Sequence, residues 1–298
     1  YTTVTFNNIN NGTLLTVLAS FIKSGIQSKA KIYKKSEILD INLSKYNQSG
    51  TNENSSINDG LSYNRFYGLR VQDEEICLKY PDVAQIIAVY ESIESDVVFD
   101  TINFSSLYAI GNNVAIGEDF IGETTKSVAR VVSKSTNSVD IVYLNSEKLK
   151  VGENVKFRST NTNGVIESIT PGSYKDRTSS FTLDKGQKDE YYDYSRLVRK
   201  KNTQDPSRRL KVVLDYYSVP ATDNGDVFTV LSYDKERFAH DIPRIGVAKV
   251  RASDTFDFRP RVSEFDPAAA TASPFDFSSR SLNDVPKLLM ASGEGSIV

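Results

Sequence analysis

One cysteine, Cys77, leaves the chain without any internal disulfide, and so excludes the stapled scaffolds of small secreted domains. The flanks "EEICLKY" alternate, and Cys77 reads as a small buried hydrophobe on a strand. A single histidine, His240, deprives nucleophilic catalysis of its usual base, and no "GxSxG" elbow gives it a serine partner. His240 therefore reads as structural or surface-lying. Cysteine and histidine together fall short of the about four ligands that a structural zinc site takes. Tryptophan is absent, which removes the largest face for stacking on sugars. No apolar run approaches the roughly 18 residues of a membrane-spanning helix. Charge is balanced too, with 36 basic against 38 acidic residues and a formal net charge of -2, so no global field gathers phosphates. Neither nucleic acid nor membrane insertion is expected.

Phosphate-cradling "GxxxxGK[ST]" and "GxGxxG" stretches are missing from any strand-to-helix junction. "TDNGD" (222–226) and "DEYYD" (189–193) cluster carboxylates but lack the alternating spacing of a calcium loop. No metal and no cofactor is expected. Two carboxylates meeting in space for glycoside cleavage stay open as an enzymatic alternative, because sequence does not report their approach.

What the 298 residues do contain is strand-forming sequence: short alternating runs of Thr, Val, Ile, Tyr and Phe between Asn, Gly, Asp and Ser clusters. The expected fold is mainly β, built of several small antiparallel β domains, barrel- or roll-like and sandwich-like, with an extended C-terminal arm. Residues 1–98 form a β-rich region with an exposed polar loop at 47–60, whose "NQSGTNENSSINDG" offers too little apolar area to offset ordering. Within it, Leu14, Leu15, Leu18, Phe21 and Ile22 follow helical spacing, with a strand as the alternative. Residues 99–182 are expected to form a small barrel or roll, because "IGEDFIGETTKSVARVVS" from Ile116 echoes "VGENVKFRSTNTNGVIES" from Val151. Two such units must pack on each other to bury a face, with Val128, Val131 and Val132 as the inward residues of the first. In 183–266, "LKVVLDYYSV" puts Val212, Leu214 and Tyr216 on one face, and Asn224-Gly225 suits a hairpin back into "VFTVLSY" (227–233). The stretch 267–298, rich in Ala, Ser and Pro, reads as the arm, anchored by Phe275, Phe277, Leu288 and Leu289.

Arg196, Arg199, Lys200, Lys201, Arg208, Arg209 and Lys211 form a basic cluster directly after Asp189, Glu190 and Asp193, with tyrosines interleaved. An ion-pair face, solvated or between subunits, fits this mixture better than a phosphate strip. Taken in order, "DKGQKDEYYDYSRLVRK" (184–200), "RRLKVVLDYYSVP", "GDVFTVLSY", "DIPRIG" and "DTFDFRPRV" resemble a segment of large virion structural proteins of tailed bacteriophages, closest to those of T4-like marine cyanophages. With "IGEDFIGETT", "VGEN" and "SPFDFSSRSL", the resemblance covers roughly residues 60 to 285.

The resemblance implies a non-enzymatic part of the baseplate or tail-fibre apparatus, carried in the virion, assembled in the host cytoplasm and working as a homo-oligomer, for instance a trimer, among other tail proteins. Such proteins are longer than this chain, which opens on Tyr1 without an initiator methionine or signal-peptide pattern; a fragment is expected. Tyr191, Tyr192, Tyr194, Arg196, Arg199, Arg259, Arg261, Phe275 and Phe277 are the expected inter-subunit contacts. Arg259 and Arg261 either flank a proline that stops a strand, in reach of Asp257 or of another chain's carboxylates, or lie on an ordinary turn as surface arginines. The alternatives are a host-attachment module whose exposed tyrosines bind surface glycan, and a glycan-degrading tail enzyme.

Overall fold

The computed structural model describes residues 24–43, 68–105, 109–188, 192–220, 222–233, 244–245, 250–251, 257 and 259. The expected helix near residues 14–22, the polar loop 47–60, His240 and the arm 267–298 lie outside these residues, as do Tyr191, Arg261, Phe275 and Phe277. The strands follow in order as β1 (Ile32–Ile41), β2 (Glu75–Pro81), β3 (Val83–Ser92), β4 (Asp100–Phe104), β5 (Asp119–Gly122), β6 (Val128–Lys134), β7 (Ser138–Tyr143), β8 (Asn154–Phe157), β9 (Asn163–Thr170), β10 (Tyr174–Asp176), β11 (Phe181–Asp184), β12 (Tyr194–Arg199), β13 (Leu210–Ser218), β14 (Arg244–Ile245) and β15 (Val250–Arg251). One helical turn, α1 (Ile110–Asn113), interrupts them. The mainly β, antiparallel class expected from the sequence is the class observed.

A four-stranded sheet in the order β1-β13-β3-β10 forms the middle layer. Its inner strands are buried along nearly their whole length, because both faces are covered. On one face Leu39, Val89, Val212 and Leu214 meet Ile76, Leu78 and Leu197 of a three-stranded sheet, β11-β12-β2. Alternation sends the intervening residues the other way. There Ala88, Tyr90 and Val213 pack against Val132 and Val142 on the outer wall of a barrel. The face expected for Val212, Leu214 and Tyr216 is thus observed, and all three share one core cluster. Cys77 lies buried on β2, where burial pushes its thiol up to about 12. Strands from 1–98 and from 183–266 share both sheets, so a division drawn along the chain runs across them.

The barrel closes in the order β4-β7-β6-β5-β8-β9, with β9 returning to β4 and no edge left to pair elsewhere. Ile102, Phe104, Phe120, Ile141, Phe157 and Ile166 fill its interior. The internal repeat seen in the sequence is its plan. Gly117 and Gly152 take φ values of 83° and 82°, and their amides donate to Val131 O and Ile166 O, both at 2.8 Å. The glutamates that follow are buried and reach into the opposite copy. Glu118 Oε1 accepts from the amides of Ser159 and Thr160 at 2.7 and 2.6 Å. Glu153 Oε1 accepts from the amides of Thr124 and Thr125 at 2.9 and 2.6 Å. Each half therefore holds the turn of the other. Of the residues expected inside, Val131 is in the core, Val128 is half-buried, and Val132 points outward to the sheet. Alternation along β6 sends Val131 inward and Val132 outward, so neighbouring valines serve two different cores.

The expected hairpin at Asn224-Gly225 does not form. β13 pairs with β1 and β3, while Val227 makes a parallel bridge with Ser28 and residues 230–232 make one 3-10 turn. Asp223 explains the detour. Its carboxylate accepts from Gly225 N at 2.8 Å and from Ala30 N, and Asp226 accepts from Gln27 N at 3.0 Å. The acidic turn is spent on fastening the stretch before β1.

Candidate functional site

At the turn between β2 and β3, Asp82 takes a left-handed φ of 64°, which a short polar side chain tolerates. That backbone turn brings its carboxylate to Lys31, where Nζ to Oδ2 is 2.5 Å. Lys31 is enclosed. The rings of Tyr233, Phe228 and Tyr192 lie 4.4, 4.6 and 4.7 Å from Nζ, with Tyr217 at 6.0 Å. Nζ also donates to Tyr233 Oη at 3.0 Å, and Gln187 Nε2 donates to Asp82 Oδ1 at 3.1 Å. An ammonium in a box of aromatic faces keeps part of the attraction that water would otherwise provide.

One wall of the box continues into a second pair. Tyr192 is wholly buried, stacks parallel to Phe228 at 5.8 Å between centroids, and donates its hydroxyl proton to Asp257. Arg259 grips that same carboxylate with Nε and Nη2, each at 2.9 Å, and its guanidinium lies 4.2 Å above the Tyr192 ring. Burial, followed by the nearby Tyr233 and Asp257, raises the Tyr192 hydroxyl well above its ordinary range, so the ring stays protonated and remains a donor. Six stretches of chain, around residues 31, 82, 192, 217, 228 and 257, meet here.

A second polar cluster joins the barrel to the middle sheet. Asp215 has no exposed surface, and its Oδ2 accepts from Tyr33 Oη at 2.7 Å, Gln85 Nε2 at 2.6 Å and Arg130 Nη1 at 2.7 Å. Oδ1 accepts from Ser36 N at 2.9 Å. Arg130 reaches from β6 of the barrel and also holds Asp119, Nε to Oδ1 at 2.5 Å. Opposed charge satisfied on every side makes this a fixed joint.

The expected site residues divide. Tyr192 and Arg259 come together, and both are turned inward, as is Arg196. Arg196 pairs with Glu75 at 3.2 Å and Asp184 at 3.0 Å. Arg199 lies 3.5 Å from Asp205, and Tyr194 is half-buried at the start of β12. In the same basic cluster Lys211 reaches Asp96 at 2.9 Å and Arg209 reaches it at 3.7 Å, which favours an ion-pair face over a phosphate strip. Lys31, Asp82, Asp215 and Arg130 carried no signal in the sequence. Their isolation among ordinary strand residues hid them.

A cleft of about 330 Å³ between β3 and β11 is lined by Gln85, Ile86, Thr178, Phe181 and Leu183, among others, with no acid or base in its lining. Among the described residues no group of three or more His, Cys, Asp or Glu is placed to hold a metal ion. No described helix is long and apolar enough to cross a membrane. No protein-family model matches the chain, and comparison with curated proteins and with solved structures likewise gave no match.

Proposed function

We propose that the chain is a structural component of a tailed-phage virion, in the baseplate or tail-fibre apparatus, working through contacts with copies of itself and with other tail proteins. The observation that carries this reading is the use of buried charge. Lys31 with Asp82, Arg130 with Asp215 and Arg177 with Glu91 each tie segments at least 51 residues apart, at 2.5, 2.7 and 2.7 Å. Removing one partner of such a pair would leave a buried charge uncompensated, so each pair fixes which distant segments meet. A part that bears load outside the cell needs that property, and the "DKGQ" and "DFRPR" motifs add their likeness to virion proteins.

The deciding experiment is localisation in intact particles by cryo-electron microscopy with a tagged chain, together with light scattering on purified protein. Density at the baseplate or fibre and a defined oligomer are the expected results. Absence from the particle, or release of reducing sugar from host glycan that is lost on changing one acid, overturns the reading.

A further inference from the structure

We propose that Lys31 and Asp82 condense into an intramolecular isopeptide bond, the lysine amine being acylated by the aspartate carboxyl with loss of one water. The inference touches the virion reading at one point: where the bond forms, Lys31 and Asp82 tie their segments covalently and not by charge, while the Arg130 and Arg177 pairs are unaffected. It rests on the geometry of the aromatic box. Nζ and Oδ2 are in contact at 2.5 Å, across a separation of 51 residues. Both partners are dry, with side-chain exposures of 0% and 6%. Three rings within 4.7 Å of Nζ keep solvent from coming between them.

In such surroundings an ammonium and a carboxylate have both lost their hydration, and passing one proton from Nζ to Oδ2 relieves the cost of two buried charges. The cation–π attraction of the rings and, more strongly, the attraction between the two charges themselves oppose this transfer, so the reaction draws on the small fraction of pairs in which the proton has moved. A neutral amine beside a protonated carboxyl is the reactive pair. The amine lone pair adds to Cγ, and charge gathers on Oδ1, where Gln187 Nε2 already donates at 3.1 Å. Collapse forms the Nζ–Cγ bond and breaks Cγ–Oδ2. Oδ2 departs as water with two of the three ammonium hydrogens, and the third stays on the amide. Atoms and charge balance with no oxidant, reductant or activated donor.

Nζ also donates to Tyr233 Oη at 3.0 Å, which holds the amine in place beside the carboxyl. Two groups fixed in this way act at effective concentrations on the order of 10⁵ M or more, which offsets the weak reactivity of an unactivated acid. The product would lock the approach to β1 onto the β2–β3 turn by a covalent bond.

The test is the intact mass of the purified chain under denaturing conditions. Wild-type protein is expected to be lighter than its sequence by one water. Lys31→Arg and Asp82→Ala are each expected to restore the full mass. Tryptic digestion of wild type is expected to fail after Lys31 and to release a branched peptide joining the segments that carry residues 31 and 82. Wild-type protein at full sequence mass overturns the proposal whether or not the variants fold, and so does a water loss that persists in Lys31→Arg. Either outcome leaves the localisation experiment untouched.

Discussion

Asp215 accepts four hydrogen bonds in a place with no exposed surface. Replacing it with alanine leaves the buried Arg130 guanidinium to Asp119 and takes an acceptor from the Tyr33 hydroxyl, the Gln85 amide and Ser36 N; breaking a buried pair by removing one partner costs about 3–5 kcal/mol. Asp215→Ala is accordingly expected to lower stability by that amount in urea melts, while Asp205→Ala, whose partner Arg199 sits 3.5 Å away and whose own side chain is 75% exposed, is expected to change it by less than about 1 kcal/mol. Equal effects at the two positions would remove the argument that depth, not charge, decides which pairs matter. Glu153 carries a second residue-scale consequence. Burial pushes its carboxyl up, but the amides of Thr125, Lys150 and Thr124 with the Thr125 hydroxyl outweigh burial and hold it below the usual carboxylate range. The folded chain therefore binds that proton less tightly than the unfolded chain, in which glutamate titrates near about 4.3. Its stabilisation is complete above that pH and is lost as the pH falls through the folded value. Urea midpoints measured from neutral down to acid pH are expected to fall more steeply for wild type than for Glu153→Gln.

Between the residue and the molecule stand the two half-barrels, and they allow a comparison that isolates backbone from packing. Gly117 and Gly152 hold the same left-handed turn, but a Cβ at Gly117 would come within 2.4 Å of the Lys35 Cβ whereas one at Gly152 would meet nothing within 4 Å. Gly152→Ala is expected to cost the price of the left-handed backbone alone, about 1–2 kcal/mol. Gly117→Ala is expected to cost more, since β1 must also give way. Thermal melts of the two variants check the order, and a larger loss at Gly152 would show that the halves are not used alike. The repeat itself was legible because Gly-Glu, the following Thr turn and the valine strand recur at one spacing in the sequence. That each glutamate crosses to the other copy was not, since both copies spell the same motif whichever turn the carboxylate reaches.

Among the described residues a middle sheet carries a barrel on one face and a three-stranded sheet on the other, and of these three the barrel alone is contiguous in sequence. A fragment of residues 97–176 is expected to fold alone with a cooperative urea transition, because its interior belongs to it entirely. A fragment ending at residue 96 is expected to remain unfolded, lacking β13, which lies between β1 and β3. Circular dichroism of the two fragments checks this, and a folded N-terminal fragment would contradict it. The amino-acid sequence by itself determined the β class, the repeat that closes into a barrel, the buried Cys77 and the inward face of Val212, Leu214 and Tyr216, all of which follow from period and composition over neighbouring residues. Only the tertiary structure decided that β13 pairs with strands formed more than 110 residues earlier, that the acidic turn at 222–226 fastens residues 27–30, and that Lys31 meets Asp82 inside four aromatic rings. Strand partners and buried ion pairs are long-range matters, settled when whole faces come together, and local pattern carries no record of which distant face will arrive.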